Sequence, residues 1–277
     1  MNNIGLKKVI LSLTEACNFK CGYCFPGHGN CGNHLPKADK RKIITDLAAS
    51  GCREITFIGG EPTLCTELCS LIKLAKKLGM KTKIVTNGTR LTDSFLSEMK
   101  NYLDCITVSV DSVNEQTLEA IGRQCRDMVI DHNFYRNLIA DIHSHCYELR
   151  INTVVNSKNL NEDLTPFINY AIPAKWKIFQ VVSVDGNSSE FTVSHRDFVE
   201  FCAFHKKKTT PAIPIFTASA EFTKGSCSMI DHHGRFFDIA NGMYNYSAPI
   251  SDVGVENAFS QVVVHEAKVL RKMRQVA

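Results

Sequence analysis

Long hydrophobic runs are missing from this sequence. Its 277 residues contain no apolar stretch of about 18 positions, the length that a membrane-spanning helix needs. The start of the chain, Met1 to Lys8, is too short and too polar for a secretory signal. These two absences predict a cytoplasmic protein with no membrane partner.

A strong net charge is also missing. The 32 basic and 28 acidic residues leave a formal charge of +4, which is small for a chain of this size. Nucleic-acid-binding domains are usually far more basic, so we expect no nucleic-acid partner. The composition, with 44% hydrophobic and 22% charged residues, is typical of a soluble globular protein.

Cysteine, in contrast, is abundant, with twelve residues. Most of them are scattered through predicted helices and strands, which is typical of reduced thiols in a cell interior rather than of a disulfide framework. Three form a compact C-x3-C-x2-C motif made by Cys17, Cys21 and Cys24. Three thiolates on an iron-sulfur cluster leave one iron with an open coordination position, where a small molecule can chelate and be reduced.

A zinc site is the alternative interpretation of the same motif. Paired cysteines two residues apart are common zinc ligands, and Cys31 with His28 and His34 could complete a set of four. These three residues do not repeat the C-x2-C spacing of a second zinc-binding pair. Motifs further along the chain also favour a cluster, because a zinc module does not require them.

The hydrophobic periodicity predicts an α/β fold. Six strands alternate with helices, and this order favours a parallel sheet with right-handed crossovers. Six units rather than eight predict a partial (β/α)6 barrel of the TIM type. We assign residues 1–190 to this barrel and residues 191–277 to a C-terminal extension of the same domain that covers the barrel mouth. The predicted strands are 7–13, 54–58, 82–86, 106–110, 149–155 and 176–183.

Polar and glycine-rich motifs follow three of the predicted strands. Active sites of β/α barrels lie at the carboxyl ends of the strands, so these motifs should face the cysteine loop that follows the first strand. Each also has an ordinary structural explanation as a turn, a helix start or a helix cap. The motifs are Gly59-Gly60-Glu61-Pro62-Thr63, Thr86-Asn87-Gly88 and Ser109-Val110-Asp111-Ser112.

Four basic residues lie near the edges of neighbouring strands and loops. Arg150, Lys175 and Lys177 belong to the fifth and sixth predicted strands, and Arg123 follows a helix near the mouth. Such side chains can converge as a cationic cradle for phosphates. Simple solvent exposure is the alternative for Arg123. Trp176, between two lysines, is expected to pack into the barrel wall.

The cysteine motif, with an aromatic residue at Tyr23, resembles the signature of radical S-adenosylmethionine (SAM) enzymes. In that family three cysteines hold a 4Fe-4S cluster that binds SAM, and an electron cleaves SAM to a 5'-deoxyadenosyl radical that abstracts a hydrogen atom. The resemblance implies both cofactors and an external electron donor of the flavodoxin or ferredoxin type. It implies cluster ligands at Cys17, Cys21 and Cys24, and SAM contacts from Gly59, Gly60, Glu61, Thr86, Asn87, Ser109, Asp111 and Val154.

A narrower resemblance covers about residues 7 to 260. Its segments include Ile121-Gly122-Arg123, Arg150-Ile151-Asn152, Lys175-Trp176-Lys177 and Met229-Ile230-Asp231 with Gly234-Arg235, which are similar to viperin and its prokaryotic relatives. That group converts a ribonucleoside triphosphate into its 3'-deoxy-3',4'-didehydro analogue, a chain terminator, in antiviral defence. The resemblance implies an enzyme of this kind, with substrate contacts from Arg123, Arg150, Asn152, Lys175, Lys177 and Arg235.

The substrate side departs from the viperin pattern at several positions. Glu54 stands where the group has a lysine, Ile58 and Cys227 stand where it has a serine and a tyrosine, and Ile215 lies in a replaced Pro-Glu-Ser-Asn stretch. A glutamate beside a triphosphate would repel it. A different nucleotide or phosphorylated small molecule is therefore a second hypothesis for the substrate. A non-catalytic iron-sulfur or zinc protein is a third hypothesis for the function.

Overall fold

One open sheet forms the framework of the protein. A computed structural model describes residues 4–24, 35–184, 186 and 188–274, and within them ten strands belong to this sheet. The strands are β1 (Lys8–Ser12), β2 (Glu54–Ile58), β3 (Lys81–Thr86), β4 (Cys105–Ser109), β5 (Glu148–Val155), β6 (Lys175–Gln180), β7 (Ile215–Ala218), β8 (Ser228–Ile230), β9 (Arg235–Asp238) and β10 (Asn245–Pro249).

Strands β1 to β7 are parallel neighbours in chain order, which confirms the predicted partial barrel. The six predicted strands correspond to β1 to β6, and β7 adds a seventh parallel strand beyond the prediction. On the other side of β1, β8 is also parallel, whereas β9 and β10 continue the sheet in antiparallel pairs. The sheet is not closed, because β7 and β10 lie at its two ends.

Eleven α-helices occur among the described residues. Several begin at a side-chain cap that the sequence supplies: Thr92, Asn114, Asp131, Ser194 and Ser219 each accept a hydrogen bond from a backbone N–H of the first turn. The helices are α1 (Lys37–Ala49), α2 (Leu68–Lys77), α3 (Asp93–Met99), α4 (Glu115–Ala120), α5 (His132–Ser144), α6 (Thr165–Ala171), α7 (His195–Lys208), α8 (Ala220–Thr223), α9 (Ile250–Val253), α10 (Val255–Phe259) and α11 (Glu266–Arg274).

The apolar core lies between the helices and the outer face of the sheet. Ile44 and Leu47 of α1 and Leu71 of α2 are fully buried, as three- and four-residue spacing on a helix face predicts. Trp176 of β6 is also fully buried, and its indole N–H donates to the Thr153 hydroxyl at 2.9 Å. Its predicted place in the barrel wall is therefore confirmed. Each described helix is too short or too polar to span a bilayer.

The segment after residue 191 adds to both ends of the sheet and to the barrel interior. It contributes β7 at one end and β8 to β10 at the other. Helix α11 packs against the short 3-10 helix Ile4–Lys7, which precedes β1. Thr223, Met229 and Lys272 of this segment line cavities inside the barrel. Residues of this segment thus belong both to the sheet and to the walls of the cavities.

Candidate active site

The loop that carries the three cysteines is fixed against the loop after β2. The backbone N–H of Gly60 donates to the Thr14 carbonyl at 2.6 Å, and that of Glu61 donates to the Ala16 carbonyl at 2.8 Å. A Cβ atom on Gly60 would collide with the carbonyl oxygens of Glu15 and Ala16. The Gly59-Gly60 pair therefore permits a close backbone approach that a side chain would prevent.

The loop after α4 holds the cysteine loop from another direction. Lys20 donates its backbone N–H to the Gly122 carbonyl at 3.0 Å, and Gly22 donates to the Ile121 carbonyl at 3.2 Å. Gly122 has a φ of +76°, and a Cβ atom there would strike the Lys20 carbonyl. Two glycine-dependent contacts thus set the position of the cysteines.

Cys17, Cys21 and Cys24 line one cavity of about 360 Å³, which we call the cysteine cavity. Burial raises the pKa of Cys17, and it raises the pKa of Cys21 to about 11. Burial therefore favours the protonated thiol at Cys17 and Cys21, and a metal must displace these protons to bind thiolates. Among the described residues, no other cysteine lines this cavity.

Glu61 joins the end of β2 to the end of β3. Its carboxylate accepts hydrogen bonds from the Thr63 N–H at 3.1 Å, the Thr63 hydroxyl at 2.6 Å, the Thr86 hydroxyl at 2.6 Å and the Asn87 N–H at 2.8 Å. Burial raises the pKa of Glu61, although these donors oppose the shift. Glu61, Gly59, Thr86 and Asn87 all line the cysteine cavity.

Asp111 connects the carboxyl end of β4 to the cysteine loop. One carboxylate oxygen accepts from the Tyr23 hydroxyl and from Arg123 at 2.8 Å, and the other accepts from the Val154 N–H at 2.6 Å. Arg123 also donates to the Ser109 carbonyl at 2.7 Å. This buried network places Arg123 beside the cysteine loop and apart from the other predicted cations.

A second cavity of about 220 Å³, which we call the inner cavity, lies nearer the amino ends of the strands. Lys8 and Glu54, the first residues of β1 and β2, line it, whereas the residues at the carboxyl ends of β3 and β4 line the cysteine cavity. The two cavities adjoin, because they share lining residues. The shared residues are Ile10, Ile58, Val85, Asn152, Phe179 and Thr223.

The inner cavity contains more basic than acidic groups. Glu54 pairs with Lys83 at 2.7 Å and lies 3.8 Å from Lys8. Lys83 holds the pKa of Glu54 below its usual value even though burial opposes the shift. No carboxylate among the described residues pairs with Lys177, and burial together with the nearby Lys272 lowers its pKa to about 7.

Lys272 reaches the inner cavity from α11. Its ammonium lies 2.5 Å from the Cys227 sulfur, and both side chains line the cavity with Lys177. Although burial opposes the shift, Lys272 lowers the pKa of the Cys227 thiol. The cavity thus combines a thiolate-favouring cysteine with two lysines at the position where the sequence departs from the viperin pattern.

The remaining predicted substrate residues have different positions. Arg150 lines the inner cavity and pairs with Glu148 at 2.5 Å. Lys175 is buried opposite Arg150 in the β5–β6 register but does not line the inner cavity. Arg235 lies on β9, where it pairs with Asp231 at 2.7 Å and lines neither cavity.

Comparisons with known proteins identify the family of this chain. The sequence profile of the Radical SAM superfamily matches residues 11–132. The S-adenosylmethionine-dependent nucleotide dehydratase of Flammeovirga pacifica is 40% identical over 271 residues, which cover 94% of this chain and 92% of the relative. The enzyme of the same name from Lacinutrix mariniflava is 41% identical over 91% of this chain, which spans only 55% of that longer protein.

The chain belongs to the family of S-adenosylmethionine-dependent nucleotide dehydratases. A solved structure described as native anSMEcpe with bound AdoMet matches 95% of this dehydratase and 82% of that chain, with a TM-score of 0.68. At 14% identity this likeness shows the fold alone. The family membership shows that the protein is a radical SAM enzyme, so the hypothesis of a non-catalytic protein is wrong.

The cofactors of this radical SAM enzyme are a 4Fe-4S cluster and SAM, and the cysteine cavity fits them. It offers three thiols rather than four, which suits a cluster with one iron open to a ligand. The Asn152 side-chain oxygen is buried and accepts no hydrogen bond from a described residue, so it can receive one from a bound molecule. Of the zinc alternative, His28, Cys31 and His34 lie outside the described residues.

Sequence reasoning missed several residues of the dehydratase site. Lys8 and Lys83 line the inner cavity, and Tyr23 holds Asp111, but none of these roles was predicted. The alternation of β3 gave a partial indication for Lys83. Successive residues of a strand face opposite sides of the sheet, and Lys83 follows the buried Thr82. For Tyr23, the sequence offered only its place in the cysteine motif.

Proposed function

We propose that this protein converts a ribonucleoside triphosphate into its 3'-deoxy-3',4'-didehydro analogue, a chain terminator, as part of antiviral defence. The observation that carries the proposal is that a cavity with three cysteines adjoins a cavity with unbalanced basic charge inside one barrel. The names of the relatives, nucleotide dehydratases, support the reaction class. The proposed setting is the cytoplasm, since an oxygen-labile cluster needs a reducing compartment.

On the cofactor side, the cysteine cavity holds the cluster and SAM. When bound, they supply the one-electron chemistry and the hydrogen-abstracting group, with electrons from a flavodoxin or ferredoxin type of donor. The protein positions them through the contacts of the cysteine loop and excludes water from the cavity. The proposed cluster ligands are Cys17, Cys21 and Cys24, and the proposed SAM contacts are Gly59, Gly60, Glu61, Thr86, Asn87, Ser109, Asp111 and Val154.

In this proposal, Glu61 and Asp111 fix the shape of the cysteine cavity in addition to contacting SAM. Both carboxylates already accept several protein hydrogen bonds, so they fix the shape of the cavity as well as presenting charge to SAM. Arg123 neutralises Asp111, and its guanidinium lies over the Phe19 ring of the cysteine loop, 5.3 Å from the ring centroid. These contacts make it a positioning residue rather than a phosphate ligand. This revises the substrate role that the family resemblance implied for Arg123.

On the substrate side, the phosphates occupy the inner cavity. Arg150, Lys177 and Lys272 line it, and each can donate charge-assisted hydrogen bonds to phosphate oxygens. Asn152 lies between the two cavities, so its unsatisfied oxygen can accept a hydrogen bond from a ribose hydroxyl. That arrangement would place the ribose next to the cysteine cavity, with residues 191–277 completing the same domain around the substrate.

A different nucleotide or another phosphorylated small molecule is the second candidate substrate. The specific observation is the Glu54–Lys83 pair, which places a carboxylate in the inner cavity and occupies one of its cations. A shorter phosphate chain would need fewer cations. The hydrophobic Ile58 between the cavities also differs from the serine of the viperin pattern.

The test is anaerobic incubation of cluster-loaded protein with SAM, a reductant and each of CTP, GTP, UTP and ATP beside their monophosphates. We expect a product lighter than its triphosphate by one water, formed with 5'-deoxyadenosine, and detected by mass spectrometry. Lys177→Ala should weaken the triphosphate response by a factor of about 10 to 150, because one charge-assisted contact contributes roughly 1.5–3 kcal/mol. Lys207→Ala, on the exposed face of α7, is the matched control.

Two results would contradict the proposal. If no triphosphate gave the dehydrated product, the nucleotide reaction would be wrong. If monophosphates worked equally well and Lys177→Ala had no effect, the inner cavity would not be a triphosphate site. In a third arm, Cys21→Ala should lose both the cluster absorbance and SAM cleavage, which tests the cysteine cavity separately.

A further inference from the structure

A second cluster of metal-binding side chains lies outside both cavities. Glu15, in the loop before the cysteines, meets His232 and His233, in the turn between β8 and β9. One ligand atom from each residue lies within 4.8 Å of the others. The His232 Nε2 atom is 2.7 Å from a Glu15 carboxylate oxygen. None of these three residues lines the cysteine cavity or the inner cavity.

Both backbone segments that carry this cluster are well anchored. The backbone of Thr14 and Ala16, on either side of Glu15, accepts hydrogen bonds from the loop after β2 at 2.6 and 2.8 Å. On the other segment, Asp231 accepts from the His233 N–H at 3.0 Å and pairs with Arg235. The three side chains therefore extend from fixed backbone, which reduces the entropy lost on binding a metal.

We propose that Glu15, His232 and His233 form a zinc site that fastens the β8–β9 turn to the cysteine loop. Two histidines and one carboxylate are a recurrent zinc ligand set, with water at the fourth position. Ligand atoms bound tetrahedrally at about 2.0–2.1 Å from one zinc ion lie about 3.4 Å apart, so side-chain rotations must bring together the atoms that now lie within 4.8 Å of one another. The half-buried position of all three residues leaves access for an ion and for water.

An ordinary ion pair between Glu15 and His232 is the competing explanation, and it differs in what it requires of His233. An ion pair needs only two residues, whereas zinc needs the third side chain. His233 lies close beside His232, with ring centroids 4.1 Å apart. Two protonated imidazoles at that separation would repel each other, but two neutral imidazoles can bind one cation.

The test uses tag-free, cluster-loaded protein that is equilibrated anaerobically with buffered free zinc and then analysed for zinc and iron together. We expect one zinc per chain in addition to cluster iron in the wild type and in His195→Ala, a control at an exposed histidine of α7. Glu15→Gln and His233→Ala should lose the zinc while retaining the iron. Zinc content equal to the wild type in both variants, or no zinc in the wild type, would overturn the proposal.

A second measurement needs no variant and excludes zinc held by cysteine. X-ray absorption at the zinc edge of the wild type should show only nitrogen and oxygen ligands, with the imidazole pattern of histidine. Sulfur ligands would overturn the site, because Glu15, His232 and His233 supply none. Neither experiment depends on nucleotide turnover, so a failure here would leave the proposed dehydration unaffected.

Discussion

The two cavities of the barrel differ in how their charges are satisfied. In the cysteine cavity, Asp111 is paired with Arg123, and Glu61 accepts hydrogen bonds from its own loop and from the end of β3. In the inner cavity, Lys177 and Lys272 lie near each other, and Lys177 has its pKa lowered to about 7. The first cavity is therefore organised by the protein itself, whereas the second has a charge imbalance that an anionic ligand would relieve.

This difference suits the two kinds of molecule that the cavities are proposed to hold. A cluster and SAM must keep one geometry through every catalytic cycle, and the hydrogen-bonded carboxylates of Glu61 and Asp111 help to fix it. A substrate must bind and leave, so part of its binding energy can come from relieving repulsion between lysines. The three predictions that follow test this contrast.

Loss of the Asp111 carboxylate should have the largest effect. Asp111→Asn removes the negative partner of buried Arg123 and weakens the hydrogen bond from Tyr23 that ties the cysteine loop to the end of β4. Breaking a buried ion pair by removing one partner typically costs about 3–5 kcal/mol. We expect a loss of this size in the free energy of unfolding, measured by anaerobic urea denaturation, together with a lower iron content.

The exposed Asp252→Asn variant is the control for this change and should differ from the wild type by less than about 0.5 kcal/mol. A similar small effect for Asp111→Asn would mean that the cysteine cavity does not depend on its ion pair. The claim that paired charges organise the cysteine cavity would then be wrong.

Removal of the Glu54 charge should have the second largest effect, and it should strengthen triphosphate binding. Glu54→Gln removes the carboxylate that pairs with Lys83 in the inner cavity. Repulsion between this charge and a nearby phosphate is worth about 1–2 kcal/mol at an effective dielectric constant near 20. We therefore expect triphosphate affinity, measured by calorimetry, to rise by about tenfold.

The same variant should be less stable than the wild type when no nucleotide is present, because Lys83 loses its partner. Glu200→Gln, which removes a carboxylate from an exposed pair with Arg196, is the control for both measurements. Unchanged triphosphate affinity in Glu54→Gln would place the phosphates away from Glu54. The second candidate substrate would then lose its main support.

Much of the fold was predictable because it depends on local periodicity. Strand β2 was predicted at 54–58, where the structure has it, and the other five predicted strands begin within one residue of the observed ones. Strand β7 was missed, since it has only four residues and follows Pro214, so it has too little alternation to be recognised. The glycine motifs were found because close backbone approach restricts the residue type.

The charges were harder to assign, since sequence spacing does not show which side chains share a cavity. Arg123 and Arg150 are both arginines near strand ends, yet one neutralises Asp111 and the other lines the inner cavity. Lys272 lies on the last helix, and its hydrogen bond to Cys227 joins residues that are far apart in the sequence. Such contacts join distant parts of the chain, and hydrophobic periodicity predicts only local helices and strands.

The smallest expected effect is a pH dependence of triphosphate binding. Burial and the nearby Lys272 lower the pKa of Lys177 to about 7 in the free protein, and a bound phosphate would raise it again by favouring the charged form. Binding therefore takes up a proton, and affinity should fall as pH rises through 7, by about fivefold between pH 7 and pH 8. The groups facing Lys177 are Lys272, Arg150, Lys83 and Cys227, and deprotonation of Cys227 would change affinity in the same direction.

The measurement is calorimetric affinity at several pH values in two variants. One is Cys227→Ser, which removes the thiol, and the other is Cys227→Ser combined with Lys177→Met. An undiminished pH dependence in the double variant would assign the titration to another group and contradict protonation of Lys177 on binding.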